Sequence, residues 1–290
     1  MADGPNFSEW FRSTGDPRLG LVWLDKGVPR GILKPIEYSA INGRAIFEGD
    51  IVVGTVEAMD RLVAGLNIPI EDIPVSGIPS KDVPVKPNVP QPGAIGITGK
   101  VFRWKNGIVP FEVDPALPGP ERVASAIAHW QSKTPFKFEQ RDPQNLAHKD
   151  FIRFEALDGC FSEIGRRGGK QIISLHQDCG PGSAIHEIGH AIGLWHEASR
   201  EDRAKFIRIR FENIEEGRDH NFTQHIVDGD DLGPYDYESI MHYSATAFSK
   251  NGEPTIETLK PGGDKIGQRE GLSAGDIAGV RAMYPDLAWS

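Results

Sequence analysis

A chain of 290 residues with 39% hydrophobic and 25% charged content has ordinary globular composition, enough for one large domain with an appendage or for two domains. Its formal net charge of −9, with no basic cluster to reverse it, argues against a nucleic-acid partner. No apolar run reaches membrane-spanning length, and Met1-Ala2-Asp3-Gly4-Pro5 has neither the basic start nor the apolar stretch of a secretory signal.

Residues 1 to about 66 mix short apolar runs with turns. Ala45 to Gly54 reads as a strand, a Gly49-Asp50 turn and a second strand. Thr55 to Leu66 places Val56, Met59, Leu62, Val63 and Leu66 on one helical face, with Thr55 as N-cap. Next, Ile68-Pro69, Ile73-Pro74, Ile78-Pro79 and Val83-Pro84 recur at a fixed interval, followed by Pro87, Pro90 and Pro92. Proline fixes φ and removes a donor, so this stretch predicts an extended, exposed linker. From about residue 95 the texture changes. Val101–Trp104 and Ile108–Val113 read as strands around an Asn106-Gly107 turn, and Pro120 to Lys133 as a helix burying Val123, Ala126, Ile127 and Trp130. Phe136–Phe138, Phe151–Phe154 and Gln171–Leu175 read as further strands. Strands and a helix ahead of a site-bearing helix make the fold class α+β. Cys160 and Cys179 are too few for a closed zinc site of four thiolates. They read as free core thiols or as a disulfide, which would imply an oxidising compartment.

The run from His186 to Glu197 reads HExxHxxGxxHE. Ser183 is the expected cap of a helix carrying His186 and His190 four residues apart, so both imidazoles project from one face. Gly193 can take positive φ, end that helix and turn the chain back to deliver His196. Three imidazoles with a position left for water make a catalytic kind of site, and the donor set favours one Zn2+ per chain. Glu187 lies beside the metal without binding it, as a base that takes a proton from water and passes it to a leaving amine. His129, His148, His176, His220 and His225 lack ligand spacing and read as surface or structural residues.

Over residues 95 to 286 the chain resembles the astacin family of metzincin zinc peptidases. The resemblance rests on the zinc motif with Glu197 after the third histidine, on Arg200-Glu201-Asp202-Arg203, and on the Met-turn Ser239-Ile240-Met241-His242-Tyr243. It rests further on Cys160 to Gly169, Ala247 to Gly252, and Ile266 to Ser273. It implies a metzincin-type catalytic domain with a twisted mixed sheet and an active-site helix, hydrolysing internal bonds of protein or peptide substrates. It implies Met241 as the base beneath the metal, and Tyr243 as an extra metal ligand in the empty site and an oxyanion donor in catalysis. Glu197 would face the freed N-terminus, Arg200, Asp202 and Arg203 would form a structural charge network, and Cys160 would pair with Cys179. The family's second disulfide has no cysteines here, which leaves Met283, Tyr284 and Trp289 to fasten the C-terminal end by packing. Substrate would lie antiparallel along an edge strand at Gln171 to Leu175. A serralysin-like peptidase is disfavoured by Glu197 and by the lack of glycine-rich repeats. A non-catalytic scaffold protein is disfavoured by an intact Glu187 and three histidines.

Phe47-Glu48-Gly49-Asp50 resembles the family's prosegment motif FxGD, whose aspartate takes the metal position of water. Residues 1–94 are accordingly expected to be an irregular propeptide acting as intramolecular inhibitor, with Asp50 a metal ligand of the latent form. Residues 95–290 are the expected catalytic domain, starting near Ala94-Ile95-Gly96. The resemblance implies a secreted or extracytoplasmic zymogen, with no membrane span.

Overall fold

The computed structural model describes residues 17–24, 32–64, 93–225 and 228–289. The proline repeat lies outside the described residues. Among them, no helix is long and apolar enough to cross a membrane.

The described chain opens with strands β1 (Arg18–Leu24), β2 (Ile32–Ile41), β3 (Arg44–Phe47) and β4 (Ile51–Thr55), which form an antiparallel meander, then helix α1 (Val56–Ala64). Thr55 Oγ1 accepts the Ala58 N–H at 3.1 Å, the expected cap of α1. The described residues up to Ala64 are thus more regular than the irregular prosegment expected. Ile36, Tyr38, Phe47, Ile51 and Met59 give them a core of their own, continuous with Ile95, Ile97, Ile164 and Trp195.

The second part runs β5 (Ala94–Ile97), β6 (Ile108–Val113), α2 (Glu121–Lys133), β7 (Lys137–Gln140), β8 (Phe151–Glu155), β9 (Cys160–Glu163), β10 (Lys170–Leu175) and α3 (Pro181–Ile192). After α3 come β11 (Ile207–Ile209), β12 (Gly229–Leu232), β13 (Ile256–Thr258) and α4 (Ala274–Met283). One mixed sheet has the order β1-β2-β3-β4-β9-β10-β8-β6-β7, so the two parts share it through a parallel β4–β9 pairing, Ile51 with Ser162 and Val52 with Glu163. β5 pairs antiparallel with β12. Helices α2 and α3 pack together in the main core, where Trp130 and Ile185, Ile188 and Ile192 are buried. The face predicted for α2 is the buried one.

Three expectations are corrected. Val101–Trp104 is not a strand: Lys100–Phe102 forms a 3-10 turn that leaves Trp104 buried, its indole N–H donating to the Ala191 carbonyl at 2.8 Å. Gln171–Leu175 is not an edge: β10 lies between β8 and β9, with every residue from Gln171 to Leu175 buried, and β9 is the strand whose outer side β4 covers. Ser183 does not cap α3, which starts at Pro181 after Gly180, with no side-chain cap.

The C-terminal end is fastened by packing as expected, with Tyr284 in the main core and Met283 and Trp289 against it. The Tyr284 hydroxyl donates to the Ile192 carbonyl at 2.8 Å, and the Trp289 indole to the Tyr284 carbonyl at 2.9 Å. Cys160 and Cys179 form a disulfide between β9 and the segment before α3, across a sequence separation of 19. Closing a loop of that length restricts the unfolded chain by about 3 kcal/mol. A Cys160→Ala/Cys179→Ala variant is therefore expected to lose about that much unfolding free energy in denaturant titration. An unchanged midpoint would show that the bond contributes no stability.

Candidate metal centre

Helix α3 is buried almost throughout, and it carries His186, Glu187 and His190. Gly193 has φ +116 and takes the left-handed conformation that ends α3, its N–H reaching the Gly189 and His190 carbonyls. The chain then returns, and His196 enters from outside the helix. Gly189 has a separate reason: a Cβ there would lie 2.6 Å from Met241 Sδ. The Met241 thioether packs beneath the ligand helix. The Met-turn is itself pinned by buried Asp276, which accepts from Ser239 Oγ at 2.6 Å and from the Ile240 N–H at 2.9 Å. Burial pushes the Asp276 carboxyl up to about 6.

Each of the three rings has its Nδ1 engaged. His186 donates to the Ile240 carbonyl at 2.8 Å, His190 to the Leu194 carbonyl at 2.8 Å, and His196 to Glu48 Oε2 at 2.9 Å. These acceptors fix the tautomer and leave every Nε2 turned inward. His190 Nε2 lies 3.1 Å from His186 Nε2. Asp50 Oδ2 is 3.2 Å from both His186 Nε2 and His196 Nε2, and Asp50 Oδ1 is 3.4 Å from His190 Nε2. Ligands around one tetrahedral zinc are separated by roughly 3.3 Å. The four buried side chains therefore fit one zinc ion, and two facing ring nitrogens need a cation between them.

The electrostatics agree. Burial and the Arg269 charge push His186 down to about 3, so its ring is the neutral form that a metal takes. For His196 burial acts downward too, but the Asp50 and Glu48 carboxylates prevail and push it up to about 9. Burial lowers His190 as well, so of the three rings only His196, beside the two carboxylates, is held toward its charged form. Glu187 is 2% exposed, and its Oε2 has no hydrogen-bond partner. Burial first, then the Asp50 charge, raise its carboxyl well above the usual range.

Glu48 is the residue whose role the sequence did not reveal. It has φ +52, a conformation rare outside glycine, at the turn between β3 and β4. Its fully buried carboxylate accepts from His196, from Ser199 Oγ at 2.5 Å and from His225 Nε2 at 2.9 Å. Burial acts to raise its carboxyl, but the His225 charge and these hydrogen bonds outweigh it and hold Glu48 at about 2. His225 stacks on Trp195 at 3.7 Å, and its Nδ1 lies 3.0 Å from Asp228, which accepts from Lys34 Nζ on β2 at 2.8 Å. Tyr243 is not in the four-atom ligand cluster. Its hydroxyl donates to the Glu48 carbonyl at 2.7 Å, and its ring lies 4.3 Å from that of His196.

Glu197 is fully buried. Its Oε1 accepts the Asp236 N–H at 2.8 Å and lies 3.4 Å from Arg200 Nη1, while Oε2 has no partner. Burial raises its carboxyl well above normal, with Arg200 opposing. Arg200 also bonds Asp202 at 2.8 Å, and Arg203 bonds the Ala198 carbonyl at 2.9 Å, consistent with a structural network. His129 and His148 are likewise structural, accepting backbone N–H groups of Leu272 and Asp142.

Comparison with known proteins places this geometry. The family model described as Astacin, a peptidase family, matches residues 97–285. The chain belongs to the astacin family. It is 40% identical over 192 residues to Protein SpAN of Strongylocentrotus purpuratus, covering 63% of this chain and 31% of that protein. It is 39% identical over 188 residues to zinc metalloproteinase nas-13 of Caenorhabditis elegans, covering 63% of this chain and 41% of that one. This astacin-family chain thus spans less than half the length of these curated relatives. Among solved structures it is similar to high choriolytic enzyme 1, a hatching enzyme zinc-protease from Oryzias latipes, at 34% identity and TM-score 0.60. That likeness covers 67% of this chain and 99% of the other.

Proposed function

We propose that the chain is a zinc-dependent endopeptidase, with residues 1–94 a prosegment that holds the catalytic domain at 95–290 latent. The observation that carries this reading is the Asp50 carboxylate among the three Nε2 atoms, near enough for its charge to act on Glu187, whose Oε2 has no hydrogen-bond partner. His186, His190 and His196 would hold the metal, joined in the latent form by Asp50. When bound, zinc supplies a Lewis acid for the scissile carbonyl and lowers the pKa of water.

Glu187 takes the proton from the attacking water and returns it to the leaving amine. Its burial supports this, because a carboxylate with a raised pKa holds a proton long enough to deliver it. Tyr243, released from the Glu48 carbonyl, donates its hydroxyl to the developing oxyanion. The substrate backbone adds antiparallel to β9, on the side that β4 occupies.

Cutting near Ala94 removes Asp50 and Glu48 together. Ala94 is already buried, and the Trp195 N–H donates to the Ile95 carbonyl at 2.9 Å, so the new start is seated before the cut. Glu197 Oε2 is the acceptor proposed for the freed amine. The Cys160–Cys179 bond favours a secreted or extracytoplasmic setting.

The test is casein cleavage by the processed chain. Activity is expected to vanish with a chelator and to return on adding Zn2+. Undiminished cleavage by protein verified to be metal-free would overturn the reading.

A further inference from the structure

The meander of β1 to β4 touches the catalytic part a second time, away from the histidine cluster. Ser39 on β2 accepts from Arg218 Nη1 at 3.1 Å, and a Cβ on Gly217 would lie 3.1 Å from Pro17. At this contact Glu37 from β2 meets Asp219 and His220 from the loop before β12. One potential ligand atom from each lies within 4.8 Å of the other two. His220 is 5% exposed; the Gly217 carbonyl lies beside its ring, but neither ring nitrogen makes a well-formed hydrogen bond. The Gly217 carbonyl can serve one nitrogen only, and a buried imidazole nitrogen left unsatisfied is costly unless something binds it.

We propose that Glu37, Asp219 and His220 form a second metal site, for a first-row divalent ion such as Zn2+, that spans the prosegment and the catalytic domain. The chemistry is suitable: one imidazole and two carboxylates are borderline-hard donors, and no thiolate is needed. Burial, then the neighbouring Arg218 charge, lower the His220 pKa, so its ring is neutral and free to ligate. A ring that ligates through one nitrogen would leave its other N–H for an acceptor such as the Gly217 carbonyl. Burial and the Asp219 charge raise the Glu37 carboxyl, as two facing acids do without a cation between them. Arg218 is the competing cation, but it points to Ser39 and lies 4.0 Å from Glu215. Ligands opposite each other on one ion are at most about 4.2 Å apart, so the side chains close by a small rotamer adjustment. Asp219 is exposed, which gives the ion a way in.

The site exists only while β2 is attached, since Glu37 leaves with the prosegment. Its role as a staple rests on the latency reading; its existence does not. The experiment measures zinc by mass spectrometry in the full chain equilibrated with buffered Zn2+. The wild type is expected to bind about two ions, and the Glu37→Gln and Asp219→Asn variants and the processed chain about one. Calorimetric titration of Zn2+ into wild-type chain with its first equivalent already bound gives a second readout, independent of whether either variant folds. One ion in the wild type with no second binding event, or two ions in both variants, overturns the site. Casein cleavage by the uncut wild type tests latency separately, so either reading can fail with the other still legible.

Discussion

Replacing Glu187 with Ala is expected to lower kcat of the processed chain by roughly 10²–10⁴-fold, the usual worth of a positioned acid–base group. The carboxylate is buried, lies next to a ligand in sequence and has an oxygen with no hydrogen-bond partner, so its loss breaks no hydrogen bond at that oxygen. The variant is expected to keep its metal, because Glu187 holds none of the three rings and the Nδ1 acceptors of His186 and His190, the Ile240 and Leu194 carbonyls, stay in the processed chain. Kinetics on a peptide substrate and a zinc assay on the same sample check both halves. Wild-type turnover in a fully metallated Glu187→Ala chain would remove the proposed mechanism.

Asp50→Ala in the full chain has the second large effect. Among the described residues, the substitution removes the only carboxylate within 3.4 Å of all three Nε2 atoms. Charge-assisted contacts contribute about 1.5–3 kcal/mol each, so the prosegment is expected to lose about 3 kcal/mol of hold, which is roughly 10²-fold more open chain. Basal casein cleavage should rise accordingly without any processing. The Glu48 contacts and the β4–β9 pairing remain, so the effect should fall short of full activation. A variant as silent as the wild type would sink the aspartate switch.

The catalytic half of the site was readable because its geometry is local. His186 and His190 follow the helical period, Gly193 marks the helix end, and His196 follows within one turn of chain. Asp50 was found only through a short motif of known family meaning. Glu48, His225 and the Lys34–Asp228 pair left no such mark, since they join residues 148 to 194 positions apart. Distance along the chain also explains the misplaced edge. β10 alternates too little to show which of its sides is covered, and only the pairing of β9 with a strand over a hundred residues earlier shows where the sheet is open. Ser183 was a reasonable cap by residue type, yet Pro181 is better suited to the first turn.

The parallel register of β4 and β9 carries a further meaning for the proposed zymogen. A peptide's direction decides which of its carbonyls meets the water and which nitrogen departs. The inhibitory strand enters the groove tail-first relative to a strand laid antiparallel there, so its own amides meet the reactive groups in the wrong sequence. The gag can rest against the blade without being cut by it. In the proposed zymogen a permanent release would come from a scission elsewhere along the tether.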